Sequence, residues 1–198
     1  MSKNQPQRKK QTVSDKRRWR VILVFVFAFA TCIAIGGAFL IFRDLVYPNM
    51  YYVLLFDLLG MIGLYVGAII LSAFFLYLFF IIVFINPQRI KRSKVLKFAA
   101  AGMVVFIFTV WFVGFSSQEI SRDSQAFQDY KEGNWTVKEL LVKDIYGPNK
   151  RSNITLLETD EGDMVLYWRP FRIYRDQIYR FTYLEKTKVV LEVEQVGE

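Results

Sequence analysis

The feature that most constrains the fold is an unbroken run of twenty-eight uncharged residues at 58–85, rich in Phe and Ile. A helix rises about 1.5 Å per residue, so this run would reach about 42 Å, and the hydrocarbon core of a bilayer is about 30 Å thick. The run is therefore long enough and apolar enough to be a membrane-spanning helix.

Two further apolar runs, at 21–42 and 98–115, predict two more membrane helices. The predicted helices cover residues 20–42, 53–85 and 98–116 of a transmembrane region at 19–117. After residue 116 the composition becomes polar, which predicts a separate domain. We expect a short connecting helix at 118–133 and a small β-domain at 134–198.

Charge distribution predicts the orientation in the membrane. The net charge is +8, but eight Lys or Arg lie in residues 1–20 and five in residues 86–97, whereas residues 116–198 hold twelve basic and fifteen acidic residues. Short basic segments beside membrane helices are typical of cytoplasmic loops and argue against nucleic-acid binding. We expect residues 1–18 to form a disordered cytoplasmic tail, and three crossings place the C-terminal domain outside.

Five runs with strand-like composition fill the C-terminal part, at 135–145, 153–159, 163–168, 178–184 and 188–196. In the last run, Val189, Leu191 and Val193 are predicted to share one face. Turn residues separate most of the runs. This pattern predicts an antiparallel all-β domain, either an OB-like or SH3-like five-stranded barrel or a plain curved sheet.

Small residues recur at close spacing in the first two membrane helices. Such residues let two helix backbones approach closely, and GxxxG is one form of this pattern. Packing within the chain and packing against another protein are both open. The candidate packing residues are Ala30, Ala34 and Ala38 in the first helix and Gly60, Gly63 and Gly67 in the second.

Asp57 is an acid inside the apolar part of the chain. An ionisable residue within a membrane helix is by default a functional candidate, for example a proton or cation site. Its place just before the run at 58–85 favours a simpler role, in which its carboxylate caps the N-terminus of the second helix.

The most suggestive polar segment interleaves guanidinium groups with aromatic rings between residues 168 and 180. Such groups bind phosphate or carboxylate and stack on rings, so the segment is a candidate surface for an anionic envelope ligand or a partner. In the alternative interpretation the aromatic residues fill one end of the barrel and the arginines are solvated or ion-paired. The candidate residues are Trp168, Arg169, Arg172, Tyr174, Arg175 and Arg180.

Catalytic and metal-binding motifs are missing from the sequence. It contains no histidine, which removes the commonest general base and metal ligand, and its one cysteine cannot form an intrachain disulfide. Acids at 158–163 resemble a solvated hairpin turn more than a calcium loop. We therefore predict no catalytic residues, no cofactor and no metal.

These features predict a non-enzymatic multi-pass cell-membrane protein that acts as an accessory or scaffold subunit. Its expected partners are membrane lipids and either another membrane protein or further copies of itself. A sensor or binding module for an anionic envelope ligand is the alternative, and an oligomeric channel or transporter component ranks below it. The basic tail, the Phe-rich helices and the lack of disulfides favour a bacterial origin.

Overall fold

The computed structural model describes residues 13–85, 92–147, 154–167 and 171–196. Three helices come first: α1 (Val13–Leu45), α2 (Met50–Phe80), which continues as a π-helical turn (Ile81–Ile85), and α3 (Arg92–Glu132). All three are long and apolar enough to cross a membrane. The structure therefore confirms the prediction of three helices that are long and apolar enough to cross a membrane.

The helix bounds differ from the sequence-based ones in two places. α1 begins within the segment expected to be a disordered tail, of which residues 1–12 lie outside the described residues. α3 runs without a break through the segment expected to be a separate connecting helix. No proline interrupts residues 98–132, so the helix continues past the end of its apolar part. It ends before Gly133, whose φ of 76° gives a left-handed cap.

The chain forms two compact units whose boundary falls inside the helices. The first consists of Met1–Ile35 and Gly63–Gly114, and the second of Gly36–Ile62 and Phe115–Glu198. In the second unit, one end of each helix belongs to the same compact body as the β-strands.

Five antiparallel strands form one sheet in the order β3-β2-β1-β4-β5. The edge strands approach each other through a parallel bridge between Val165 and Val189, so the sheet curls into a half-barrel. This confirms the predicted small all-β domain, and the strand order corresponds to the OB-like alternative. The strands are β1 (Thr136–Tyr146), β2 (Thr155–Thr159), β3 (Gly162–Leu166), β4 (Gln177–Tyr183) and β5 (Val190–Gln195).

Two apolar clusters lie in the second unit. The inner cluster fills the curl of the sheet and includes Leu157, Tyr179 and Phe181, all fully buried. The outer cluster joins the sheet to the helix ends and includes Val53 of α2 and Ala126 of α3. The half-barrel is thus covered by apolar residues on both faces.

The predicted shared face of Val189, Leu191 and Val193 is wrong. Val193 belongs to the inner cluster, whereas Val189 and Leu191 belong to the outer one. The pairing of β4 with β5 shifts register between Thr182 and Tyr183, which leaves Leu191 as an extra residue. An extra residue in one strand moves the following side chains to the opposite face, so simple alternation fails here.

Two of the predicted packing glycines lie where α1 and α2 meet. A Cβ on Gly60 would come within 2.6 Å of Leu40 Cδ2, and one on Gly67 within 2.9 Å of Ile33 Cδ1. Both glycines are buried and Gly63 is half-buried. The predicted stripe of Ala30, Ala34 and Ala38 is exposed along its length.

We expect Gly60→Val to destabilise the protein by about 1–3 kcal/mol, because the new side chain must displace Leu40 from a packed contact. Gly37→Val is the matched control, since a Cβ at Gly37 meets nothing within 4 Å. Thermal unfolding in detergent measures both. Equal effects of the two substitutions would contradict the close approach at Gly60.

Candidate functional site: an ion pair that joins the helix ends to the sheet

The site is built around the Asp57 carboxylate. Arg43, in the last turn of α1, donates from Nη1 to Asp57 Oδ1 at 2.6 Å. Tyr167, directly after β3, donates from its hydroxyl to Asp57 Oδ2 at 2.9 Å. Both carboxylate oxygens therefore have a donor, and the three side chains join α1, α2 and the end of β3. We call these three residues the junction triad.

The environment of the junction triad strengthens these bonds. The side chains of Arg43 and Asp57 are only 14% and 15% exposed, so water screens their attraction weakly. The Arg43 guanidinium also donates from Nε to Asp44 Oδ1 at 3.0 Å, and it lies 5.6 Å from the centroid of the Tyr167 ring. The Arg43 guanidinium thus contacts Asp57, Asp44 and the Tyr167 ring.

The Tyr167 hydroxyl stays protonated over the working pH range. Burial raises its pKa well above the ordinary value of 10.0, and the neighbouring Asp57 charge raises it further. The neutral phenol is the form that donates a hydrogen bond to a carboxylate. Tyr167 therefore acts as a fixed donor to Asp57.

Apolar contacts surround the junction triad. Tyr167 packs against the outer cluster, whose buried members include Met50, Leu54 and Leu184. Arg122 of α3 adds a polar contact, because its Nη2 donates to the Thr187 carbonyl at 3.4 Å. In this unit, each of the three helices therefore contacts the sheet or a residue that adjoins one of its strands.

The predicted capping role of Asp57 is wrong. α2 begins at Met50, so Asp57 lies two turns inside the helix. The first turn of α2 starts instead beside Asn49, whose carbonyl accepts from the Val53 N–H at 3.1 Å. Tyr51 and Tyr52, which precede the predicted helix at 53–85, also belong to α2. With both oxygens bonded, Asp57 suits a structural role better than ion transport.

The other two members of the triad were missed by the sequence analysis. The sequence carries a signal for Arg43, because a cation at the end of one helix and an acid near the start of the next lie close in a helical hairpin. It carries none for Tyr167, which lies 110 residues from Asp57. Only the folding of the sheet brings Tyr167 to the helix ends.

We expect Asp57→Asn to destabilise the protein by about 2–3 kcal/mol, because it leaves the Arg43 guanidinium without its main charged partner. Asp44→Asn is the matched control, since Asp44 bonds the same guanidinium from a side chain that is 40% exposed. We expect that change to have less than half the effect. Thermal unfolding in detergent measures the stability of both variants. Equal losses of stability would contradict the conclusion that Asp57 is the main charged partner of Arg43.

The predicted anionic-ligand surface is only partly described. Trp168 and Arg169 lie outside the described residues. The Arg172 guanidinium lies 5.3 Å from the centroid of the Tyr174 ring, and both side chains are exposed. This pair is the described part of the surface that remains open to a ligand.

The other two arginines of that surface are held by acids. Arg175 pairs with Asp144 of β1. Arg180 of β4 donates from Nη2 to Glu139 Oε1 at 2.8 Å and lies 3.7 Å from Glu194 of β5. These contacts agree with the alternative interpretation, in which the arginines are ion-paired.

The neighbouring aromatic residues also agree with that interpretation. Phe171 stacks on Tyr179 with ring centroids 5.9 Å apart, and Tyr179 is fully buried. The Tyr179 hydroxyl accepts from the Tyr174 N–H at 2.9 Å and donates to Gln177 Oε1 at 2.8 Å. These bonds fix the segment that leads into β4.

The acids of the β2–β3 hairpin form ordinary ion pairs and hydrogen bonds. Lys138 donates to Glu161 Oε1 at 2.6 Å, and the Tyr183 hydroxyl donates to the other oxygen. The hydrogen bond from Lys138, followed by that from Tyr183, lowers the pKa of Glu161 to about 2. In the described part of the chain, no group of His, Cys, Asp and Glu residues is arranged to hold a metal ion.

The low pKa of Glu161 predicts how stability depends on pH. Its ordinary value is 4.5, so below that pH the unfolded chain takes up a proton that the folded chain does not. The stabilisation from Glu161 is complete above 4.5 and is lost as the pH falls towards about 2. We expect the difference in melting temperature between wild type and Glu161→Gln to shrink over this range. A difference that stays constant down to a pH of about 2 would contradict the role of these two hydrogen bonds.

Comparison with models of protein families, with curated proteins and with solved structures finds no match to this chain.

Proposed function

We propose that this chain is a three-pass protein of the cell membrane that acts as an accessory or scaffold subunit and presents its β-domain outside the cytoplasm. Its N-terminus is cytoplasmic, in line with the basic segments at 1–20 and 86–97. It catalyses no reaction itself and works through contacts with another membrane protein.

The observation that carries this proposal is the attachment of the half-barrel to the helix ends. The junction triad and the outer apolar cluster join the two, and only residues 133–135 separate α3 from β1. A short connection and a packed junction suit a domain that is held in a set orientation. A domain that changes its orientation freely relative to the membrane would need a longer linker.

Exposed helix faces support a role in assembly. Ala30, Ala34 and Ala38 leave one side of α1 smooth, which suits close approach of a further membrane helix. Beyond its apolar part, α3 carries a surface groove lined by uncharged polar residues that include Ser117, Ser121 and Gln125. These two faces are the positions where we expect a partner.

The second candidate function is a binding module for an anionic envelope ligand. The exposed Arg172 and Tyr174 pair favours it, because Arg172 makes no ion pair with an acid among the described residues. We expect Arg172→Ala to weaken binding of an anionic polymer at least fivefold if this function is correct. Arg180→Ala is the control, because Arg180 is already paired.

Orientation is tested by labelling in intact cells. We expect Lys186→Cys, in the exposed turn before β5, to react with a membrane-impermeant maleimide in a Cys32→Ala background. A cysteine at Ser2 should react only after the membrane is permeabilised. The opposite pattern would contradict the proposed topology.

The proposed role is tested by affinity purification from native membranes in mild detergent, with quantitative mass spectrometry. We expect a membrane protein in fixed stoichiometry with the wild-type chain. Ala34→Leu, which fills the smooth side of α1, should lower its recovery, whereas Val24→Leu, at an exposed position that is already large, should not. Recovery of the chain alone would contradict the accessory role.

A further inference from the structure

A pocket in the second unit lies between the α1–α2 loop and the outer face of the sheet. Its volume is about 520 Å³, within the range of small-molecule sites. The loop supplies Tyr47, the end of α3 supplies Tyr130, and the residue before β1 supplies Trp135. Three aromatic residues from three parts of the chain therefore line one pocket.

One acidic residue also lines the pocket. Glu192 of β5 is exposed and is the one charged residue among the described residues that line it. Its carboxylate makes no ion pair or hydrogen bond with the described residues, whereas Glu194, two residues further on, lies 3.7 Å from Arg180. Among the described residues, no cation lines the pocket to offset this negative charge.

The strands determine where Glu192 lies. Val137 pairs with Thr182 across β1 and β4, and Thr182 pairs with Glu192 across β4 and β5. All three residues line the pocket, so Glu192 ends a row that crosses the sheet. The Trp135 ring lies 6.2 Å from the Tyr130 ring, centroid to centroid. The aromatic residues and Glu192 therefore line the same pocket.

This combination is selective for a particular chemistry. Aromatic faces attract a cation through the negative charge of their π-systems, and they do so best when the cation is weakly hydrated, as an alkylammonium group is. A carboxylate without a partner adds charge complementarity. An anionic ligand would meet Glu192 and no compensating cation among the described residues that line the pocket.

We propose that this pocket binds an alkylammonium group, either on a phospholipid headgroup or in a soluble amine. The lipid source is suggested by Tyr47, which lies in the four-residue connection between two helices long enough to cross a membrane. A headgroup at the membrane surface would reach such a loop. This inference does not depend on the proposed accessory role.

The test uses the full-length protein in an alkyl maltoside detergent, which contains no ammonium group. Binding of radiolabelled choline, dihexanoyl phosphatidylcholine and dihexanoyl phosphatidylglycerol is measured by equilibrium dialysis. The variants are Glu192→Gln, Trp135→Leu and Trp135→Phe. Glu194→Gln is the matched control, because it removes an acid from the same strand outside the pocket.

We expect saturable binding of phosphatidylcholine that Glu192→Gln and Trp135→Leu weaken about tenfold or more, whereas Trp135→Phe and Glu194→Gln bind like the wild type. Choline binding as tight as that of the lipid would identify a soluble amine as a sufficient ligand, and weaker choline binding would identify the lipid. Equal binding of phosphatidylglycerol, an unchanged affinity in Glu192→Gln, or no saturable binding of either ammonium probe would overturn the proposal. Because Glu192 is exposed, its substitution tests the pocket even if Trp135→Leu fails to fold.

Discussion

The structure of the second unit depends on one carboxylate placed near the end of an apolar helix. A charge removed from water is costly unless donors surround it, and Asp57 has one donor on each oxygen. Arg43 comes from the end of α1 and Tyr167 from the end of β3. The need to satisfy Asp57 therefore sets where the helix ends and the sheet meet.

Apolar packing, together with the junction triad, joins the sheet to the helix ends. Residues of β5 and of the turn before it cover the first turns of α2 and the last turns of α3. The register shift in β5 matters here, because it sends Leu191 towards the helices while Val190 and Val193 fill the inner cluster. The small sheet therefore has apolar packing on both of its faces.

Sequence periodicity and composition were sufficient to predict the helices and strands. They were insufficient to predict the contacts between these elements. Long apolar runs identified the three helices, and alternation with turn residues located five strands to within a few residues. The polar composition after residue 116 predicts a new element, but α3 continues to Glu132 because no proline interrupts it. The junction triad was missed because it joins residues 43, 57 and 167, and sequence spacing carries no information on such tertiary pairs.

The contacts of the junction triad and the outer cluster predict a fixed orientation of the half-barrel on the helix ends. This prediction is tested most directly by the distance distribution between spin labels at Leu45→Cys, on the exposed end of α1, and Gln195→Cys, at the end of β5, in a Cys32→Ala background. Double electron–electron resonance should give one narrow distribution that broadens when Asp57→Asn is added. A broad distribution in the otherwise unchanged protein would show that the half-barrel is not held in one orientation on the helix ends.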